Sequence, residues 1–217
     1  MKTKKNVWIP AIIAAAVAGL FLVFYFYISM SHANGDVSLS APEGGTGGMH
    51  RPGGERPGGA NEVFKTLGTI SVFLAAVSFS WIWFKKKLKS PSWLVRQAGK
   101  LLHAVHKLLG WATLIVIAAH GIYFLIFKSG DPNIYSGLAG FVILLMIVGY
   151  GFFINKIRNK WMRTVHRSLG LLWVPTLLLH AGGSAVAAVI ASLAVWVLIE
   201  ILERKVGKAA ESIPGDR

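Results

Sequence analysis

Four histidines in the apolar segments of this chain follow a regular spacing. His106 and His120 are fourteen residues apart, and so are His166 and His180. In an α-helix fourteen residues turn through about 1400°, some 40° short of four full turns, and advance ~21 Å along the axis. Each pair is therefore predicted to lie on nearly one face of a helix, with one imidazole toward each end.

The other ionisable side chains of the apolar segments restrict the possible functions of these imidazoles. Ionisable groups inside a membrane segment are rare and usually functional. No Asp or Glu lies within the apolar segments except near the end of the last one, which disfavours carriers and pumps that depend on buried carboxylates. A fifth histidine, His103, is seventeen residues from His120 and points to nearly the opposite side of the helix. We interpret it as a polar residue at the membrane edge.

Six apolar segments have about the ~20 residues that a membrane-spanning helix needs. The sequence thus predicts an all-α polytopic membrane bundle. The predicted spans are Val7–Met30, Phe64–Phe84, Leu101–Phe127, Ile134–Ile154, Val165–Ala181 and Ala185–Leu202.

Charge predicts the orientation of these spans. The net charge is +14, and most cations lie before the first span, between spans two and three, between spans four and five, and after the sixth. Because cytoplasmic loops are enriched in Lys and Arg, both termini are predicted to be cytoplasmic, in a multi-pass protein of the cell membrane. The same distribution argues against a nucleic-acid partner, and the chain has no cysteine for disulfides or thiolate metal sites.

Spans three and five then run in the same direction. His106 and His166 are expected at one depth near the inner side, and His120 and His180 at another near the outer side. Two opposed imidazoles form a bis-histidine axial site for haem iron, with no open position for oxygen. We therefore predict two b haems between helices three and five, a role in electron transfer, and no catalytic residue.

The residues after the inner histidines repeat as well. His106 to Gly110 reads His-Lys-Leu-Leu-Gly, and His166 to Gly170 reads His-Arg-Ser-Leu-Gly. Each glycine lies one turn from its histidine and removes side-chain bulk where a flat macrocycle would approach the backbone. The cations that follow the histidines, Lys107 and Arg167, are candidates to pair with the inner haem's propionates. Lys128 is the outer candidate.

The chain divides into four predicted regions. Residues 1–30 form an N-terminal anchor, for which a cleaved signal peptide is the alternative because Ser31-His32-Ala33 resembles a cleavage site. Residues 31–62, rich in Gly and Pro, are predicted to be a flexible extracytoplasmic linker. His50 and Met49 there are a weak metal-site candidate. Residues 63–205 form the haem-binding core, and 206–217 a cytoplasmic tail.

From about Phe64 to Leu202 the chain resembles the ferric reductase-like transmembrane domain superfamily. This superfamily includes the membrane part of NADPH oxidases and ferric reductases, and the haem-binding subunit of a periplasmic methionine sulfoxide reductase. The resemblance rests on six spans and on histidine pairs in the third and fifth. It implies that electrons flow outward through two b haems. The inner haem is held by His106 and His166, and the outer haem by His120 and His180.

Unlike many members, the chain has no glycine-rich dinucleotide fingerprint after its last span. We expect a separate reductase, a membrane quinol or a bound flavin to donate electrons, and an extracytoplasmic protein or ferric iron to accept them. The chain would then be the electron-transfer subunit of an oxidoreductase, in contact with membrane lipid. Two alternatives stay open: a quinol-linked cytochrome b that anchors a redox complex, and a non-redox metal transporter or scaffold.

Overall fold

A computed structural model describes residues 4–35, 59–154, 156–157 and 159–211. These residues form helices joined by turns and short loops, without a β-strand among them. The elements are α1 (Lys4–Gly35), α2 (Ala60–Phe84), α3 (Trp93–Phe127), α4 (Asn133–Phe153), α5 (Lys160–Ala181) and α6 (Gly183–Glu211).

Consecutive helices run in alternating directions. Ser78 near the end of α2 contacts His106, whereas Phe64 near its start contacts His120, so α2 and α3 are antiparallel. Lys87, just after α2, pairs with Glu203 near the end of α6. We call the end that holds Lys87 the basic end, and the opposite end, where α2, α4 and α6 begin, the far end.

Five helices are long and apolar enough to cross a membrane: α1, α2, α3, α4 and α6. The predicted all-helical membrane bundle is therefore confirmed to that extent. The fifth helix, α5, is not among them. Its 22 residues include Lys160, Arg163, Arg167 and two histidines, which lower its apolar content.

Many large apolar side chains remain exposed on the outside of the bundle. Leu20 is 70% exposed, Leu108 is 69% exposed and Ile115 is 65% exposed. Water would make such a surface costly, whereas hydrocarbon solvates it at no penalty. The bundle surface is thus that of a protein in a bilayer.

Helix α1 packs against α4 through small residues. Ala11, Ala14 and Ala18 are almost fully buried, and their small size lets the two helices approach closely. At the basic end the hydroxyl of Tyr150 on α4 donates a hydrogen bond to the carbonyl of Val7. The first helix is therefore packed into the bundle from Val7 to Ala18.

Helix α5 contacts both α1 and α4. It buries Val165, Leu169 and Trp173, although it is the most polar helix of the set. Pro175 lies inside the helix without ending it. Gly182, with a φ of 51°, ends it and turns the chain into α6. A residue with a Cβ would be strained in that conformation.

Several helix bounds differ from the predicted spans. The first helix continues to Gly35, beyond Met30; the third begins at Trp93, well before Leu101; and the last reaches Glu211, into the predicted tail. The additional segments contain polar or charged residues, such as Arg96, Lys100 and Lys205, so hydrophobicity alone did not include them. Residues 36–58, most of the predicted linker with Met49 and His50, lie outside the described residues.

Candidate functional site

The structure brings the four evenly spaced histidines together in two pairs. The ring centres of His106 and His166 are 6.2 Å apart with an interplanar angle of 80°. Those of His120 and His180 are 6.4 Å apart with an angle of 83°. We call these the basic-end pair and the far-end pair. Each pair joins α3 to α5, and the repeat of both distance and angle reflects the equal spacing along the two helices.

The backbones of the two histidine-bearing helices do not touch. Although α3 contacts α2, α4 and α6, no Cα atom of α3 lies within 8 Å of one in α5. The two helices face each other across the middle of the bundle, where the imidazoles of each pair approach. A flat group held between the rings would therefore not have to displace helix–helix packing.

Each imidazole is oriented by a helix other than its own. Nδ1 of His120 lies 2.7 Å from the carbonyl oxygen of Phe64 on α2. Nδ1 of His166 lies 2.9 Å from that of Ile147 on α4. A carbonyl oxygen can only accept, so Nδ1 carries the proton in both rings.

The other two histidines each contact a serine. Nδ1 of His106 is 3.0 Å from both the carbonyl oxygen and Oγ of Ser78. Nδ1 of His180 is 3.0 Å from Oγ of Ser136, which donates its own hydrogen to the carbonyl of Asn133 and so must accept from the ring. All four Nδ1 atoms thus face an acceptor, so in the neutral rings the proton is on Nδ1 and Nε2 is unprotonated. A histidine that ligates a metal needs this arrangement.

Glycines on α2 and α4 make room for three of the rings. A Cβ added at Gly68 would lie 2.7 Å from Cε1 of His120, and one at Gly137 would lie 2.8 Å from Cε1 of His180. At Gly151 the distance to Cε1 of His166 would be 3.2 Å. The three imidazole rings can approach α2 and α4 at these positions only because the glycines have no side chain.

The glycine and the residue whose carbonyl accepts the hydrogen bond are one helical turn apart on the same helix. Gly68 follows Phe64 by four residues, and Gly151 follows Ile147 by four. In a helix the N–H of the later residue already bonds the carbonyl of the earlier one. Without a side chain on the later residue, the second lone pair of that carbonyl stays accessible to an imidazole from another helix.

These glycine partners are not among the predicted site residues. Four glycines of α4, Gly137, Gly140, Gly149 and Gly151, have the small size that suits helix packing. Gly149 is not at a close helix contact, since a Cβ there would meet nothing within 4 Å. Gly137 and Gly151 instead contact His180 and His166, and their fourteen-residue separation equals that of the histidines. This matching interval was the available signal.

The far-end pair borders a large cavity. His120 and His180 line a space of about 630 Å³ that extends from the far end to Trp173 in the middle of the bundle. That volume lies within the ~300–1,000 Å³ typical of ligand and cofactor pockets. Most of its lining is apolar.

The remaining predicted neighbours differ in their surroundings. A Cβ at Gly110 or Gly170 would meet nothing within 4 Å, so both glycines leave the surface near the basic-end pair unobstructed. Lys107 and Arg167 are exposed. Nζ of Lys107 lies 5.6 Å from the ring centre of Phe152, and that ring also faces Lys156.

Three other ring-bearing side chains near the histidine pairs differ in their exposure. His103 is exposed and packs against Trp81, with ring centres 4.9 Å apart. Trp173 is buried, donates a hydrogen bond of 2.8 Å to the carbonyl of Gly140, and lies seven residues from each histidine of α5. Trp111 is 40% exposed and lies beside Phe152, with ring centres 6.3 Å apart.

A metal site made by protein side chains alone is not present in the described part of the chain. No three or more His, Cys, Asp or Glu side chains come together there in a way that could hold an ion. Two imidazoles are enough for haem iron, because the macrocycle supplies its other ligands. With metal–nitrogen bonds of about 2.0 Å and ring centres about 1.2 Å behind the nitrogens, facing imidazoles have centres about 6.4 Å apart. Both observed pairs fit this distance.

No family model matches the chain, and neither a curated protein nor a solved structure is similar enough to it to count as a match.

Proposed function

We propose that this chain is a transmembrane electron-transfer cytochrome that holds two b haems. The orientation of the histidines carries the proposal. All four rings place a protonated Nδ1 against an acceptor on α2 or α4, and each pair has the separation expected around one metal ion. Histidines that only pack helices together would not need two equal pairs with the same protonation pattern.

In this proposal His106 and His166 hold one haem, and His120 and His180 hold the other. When bound, haem iron supplies one-electron chemistry, and two axial imidazoles leave no position for oxygen or a substrate. The Nδ1–H bonds fix each ring's rotation and increase the electron donation from Nε2. The mostly apolar lining of the cavity at the far-end pair would suit the apolar faces of the macrocycle.

The proposal includes six spans, with α5 as the fifth. Its histidines face those of α3 at two levels, and Val165, Leu169 and Trp173 are buried in the bundle. Its histidines are partly buried between helices and its cations lie toward the basic end, so α5 can cross the bilayer with a lower apolar content than the others.

Orientation follows from the cations at the basic end. The positive-inside rule places that end in the cytoplasm, so the basic-end haem would be the inner one and electrons would pass outward to the far-end haem. We propose a separate reductase, a flavin or a membrane quinol as donor, and an extracytoplasmic protein or ferric iron as acceptor. Lys107 and Arg167 are positioned at the basic end to pair with haem propionates.

The first experiment is haem analysis of the purified protein by the pyridine haemochrome assay and by reduced-minus-oxidised absorbance. About two b haems per chain with six-coordinate spectra are expected. Replacing His106 or His166 by Ala should remove one haem, and replacing His120 or His180 should remove the other. His103→Ala is the matched control on the same helix and should retain both.

Other outcomes would change the assignment. A single haem would restrict ligation to one pair. Protein made with ample haem but containing none would contradict the proposal, and a transition metal bound instead would favour the carrier or scaffold alternative. Loss of haem from the His103 variant would contradict the assignment of the ligands.

A further inference from the structure

The polar side chains that line the far-end cavity are concentrated at one of its ends. The lining around Trp173, Val72 and Ile117, toward the middle of the bundle, is apolar apart from two groups that already donate to backbone carbonyls. These are the hydroxyl of Ser71, which donates to Gly68, and the indole nitrogen of Trp173, which donates to Gly140. Among the described residues that form its wall, only Lys65 and Asp131 carry full charges, and both are at the far end.

This distribution restricts how a b-type haem would sit. Such a haem carries two carboxylates on one edge, and a carboxylate in an apolar environment without a partner is very costly. The carboxylate edge therefore has to face the far end. It would then lie at the only charged part of the described wall.

Lys65 is the cation at that position. It follows Phe64, whose carbonyl accepts the His120 hydrogen bond, and it precedes Gly68, which contacts the same ring, by three residues. Lys65 thus lies only about 4.5 Å along the helix axis from the level of His120, on the far-end side. Its chain is long enough to reach an anion just beyond the ring.

The current partner of Lys65 does not prevent this role. Nζ lies 3.2 Å from Oε1 of Glu62, and the two side chains are 54% and 51% exposed. Exposed ion pairs of this kind are weak and open readily. Lys128, the candidate from the sequence, is exposed at the end of α3 and is not part of the cavity wall.

We infer that Lys65 binds the carboxylates of the far-end haem, an inference that rests on the proposed function. Asp131 is the opposing charge in the same wall. One of its carboxylate oxygens, Oδ1, accepts a hydrogen bond of 2.9 Å from the backbone N–H of Asn133 at the start of α4. The positive charge of Lys65 offsets part of the negative charge of the haem carboxylates, and the negative charge of Asp131 reduces this effect.

The test is redox titration of the purified full chain with four variants. The far-end haem is identified as the one that His120→Ala removes. Lys65→Gln should lower the midpoint potential of that haem, because loss of a nearby positive charge favours the ferric state. Lys65→Arg should preserve it, and Asp131→Asn should raise it. Lys128→Gln, which removes an equal charge at the same end, should leave it unchanged.

Haem retention provides a second measurement. Lys65→Gln should also release the far-end haem faster to apomyoglobin than the wild type or Lys128→Gln does. Equal potentials and release rates for Lys65→Gln and Lys128→Gln would overturn the inference, as would a shift shared by Lys65→Arg. If wild-type protein binds no haem at all, the proposed function has failed instead, so the two failures are distinguishable.

Discussion

The imidazole of His120 packs directly on the backbone of α2 at Gly68. A Cβ at this glycine would lie 2.7 Å from Cε1 and 2.9 Å from Nδ1 of the ring, closer than non-bonded atoms approach. The same ring donates to the carbonyl of Phe64, one turn earlier. The absence of a side chain at Gly68 therefore allows His120, on another helix, to adopt this orientation.

Gly68→Ala should displace His120 and weaken or abolish haem binding at the far-end pair. The ring cannot keep its hydrogen bond to Phe64 while a methyl group occupies its place. Haem content and the spectrum of the remaining haem are the measurements. Gly149→Ala is the matched control, because a Cβ there meets nothing within 4 Å and Ala is the better helix former. Full retention of two haems in Gly68→Ala would contradict this role.

Glycines on α4 should show a graded effect. Gly137→Ala would bring its Cβ to 2.8 Å from His180, whereas Gly151→Ala would stay 3.2 Å from His166. A shift of a few tenths of an ångström relieves the second contact but not the first. We expect Gly137→Ala to lose far-end haem and Gly151→Ala to keep basic-end haem with a perturbed spectrum. The reverse order of severity in haem content would show that these contacts do not govern binding.

Ser78 should tune the basic-end haem without being needed to bind it. Its Oγ and carbonyl oxygen both accept from Nδ1 of His106, and Ser78→Ala removes only the Oγ. A weaker bond at Nδ1 reduces electron donation from Nε2, so the ferric state is less favoured and the potential rises. One hydrogen bond is worth about 0.5–1.5 kcal/mol, and at 59 mV per tenfold change this predicts a rise of a few tens of mV.

Redox titration checks this prediction, with Ser80→Ala as the matched control. Ser80 is on the same helix, but its hydroxyl donates to the carbonyl of Ala76 rather than to a histidine. Equal midpoint potentials in the two serine variants would show that the Ser78 hydroxyl does not affect the basic-end haem.

Lys87 should make the stability of the bundle dependent on alkaline pH. It links the loop after α2 to Glu203 and Glu200 on α6. The hydrogen bond to Glu203 raises the pKa of Lys87 above the ordinary lysine value, although partial burial opposes the shift. A raised folded-state pKa adds stability that is complete below the ordinary value and is lost as the pH rises through the folded-state value.

Thermal unfolding in detergent between neutral and strongly alkaline pH tests this. The unfolding temperature of the wild type should exceed that of Lys87→Gln at neutral pH, and this difference should shrink as the pH rises through that range. Lys86→Gln, an exposed neighbour without an ion pair in the described structure, should follow the wild type at every pH. Parallel curves for Lys87→Gln and the wild type would contradict the link.

Much of the bundle could be predicted from sequence because span hydrophobicity is a local property. Five of the six apolar segments became membrane-competent helices. The fifth segment shows the limit of that criterion. Its cations and histidines leave α5, the predicted fifth span, less apolar than the other five helices, and its packing against α1, α2, α4 and α6 accounts for its place in the bundle.

The sequence by itself determined which histidines share a helix face and at what interval, because helix geometry converts fourteen residues into four near-complete turns. Only the tertiary structure decided what holds each ring. The acceptors at Phe64, Ser78, Ser136 and Ile147 belong to other helices, and a backbone carbonyl leaves no side-chain pattern to recognise. The orientation of α2 and α4 against α3 and α5 brings these groups to the rings, and that arrangement depends on packing between distant parts of the chain.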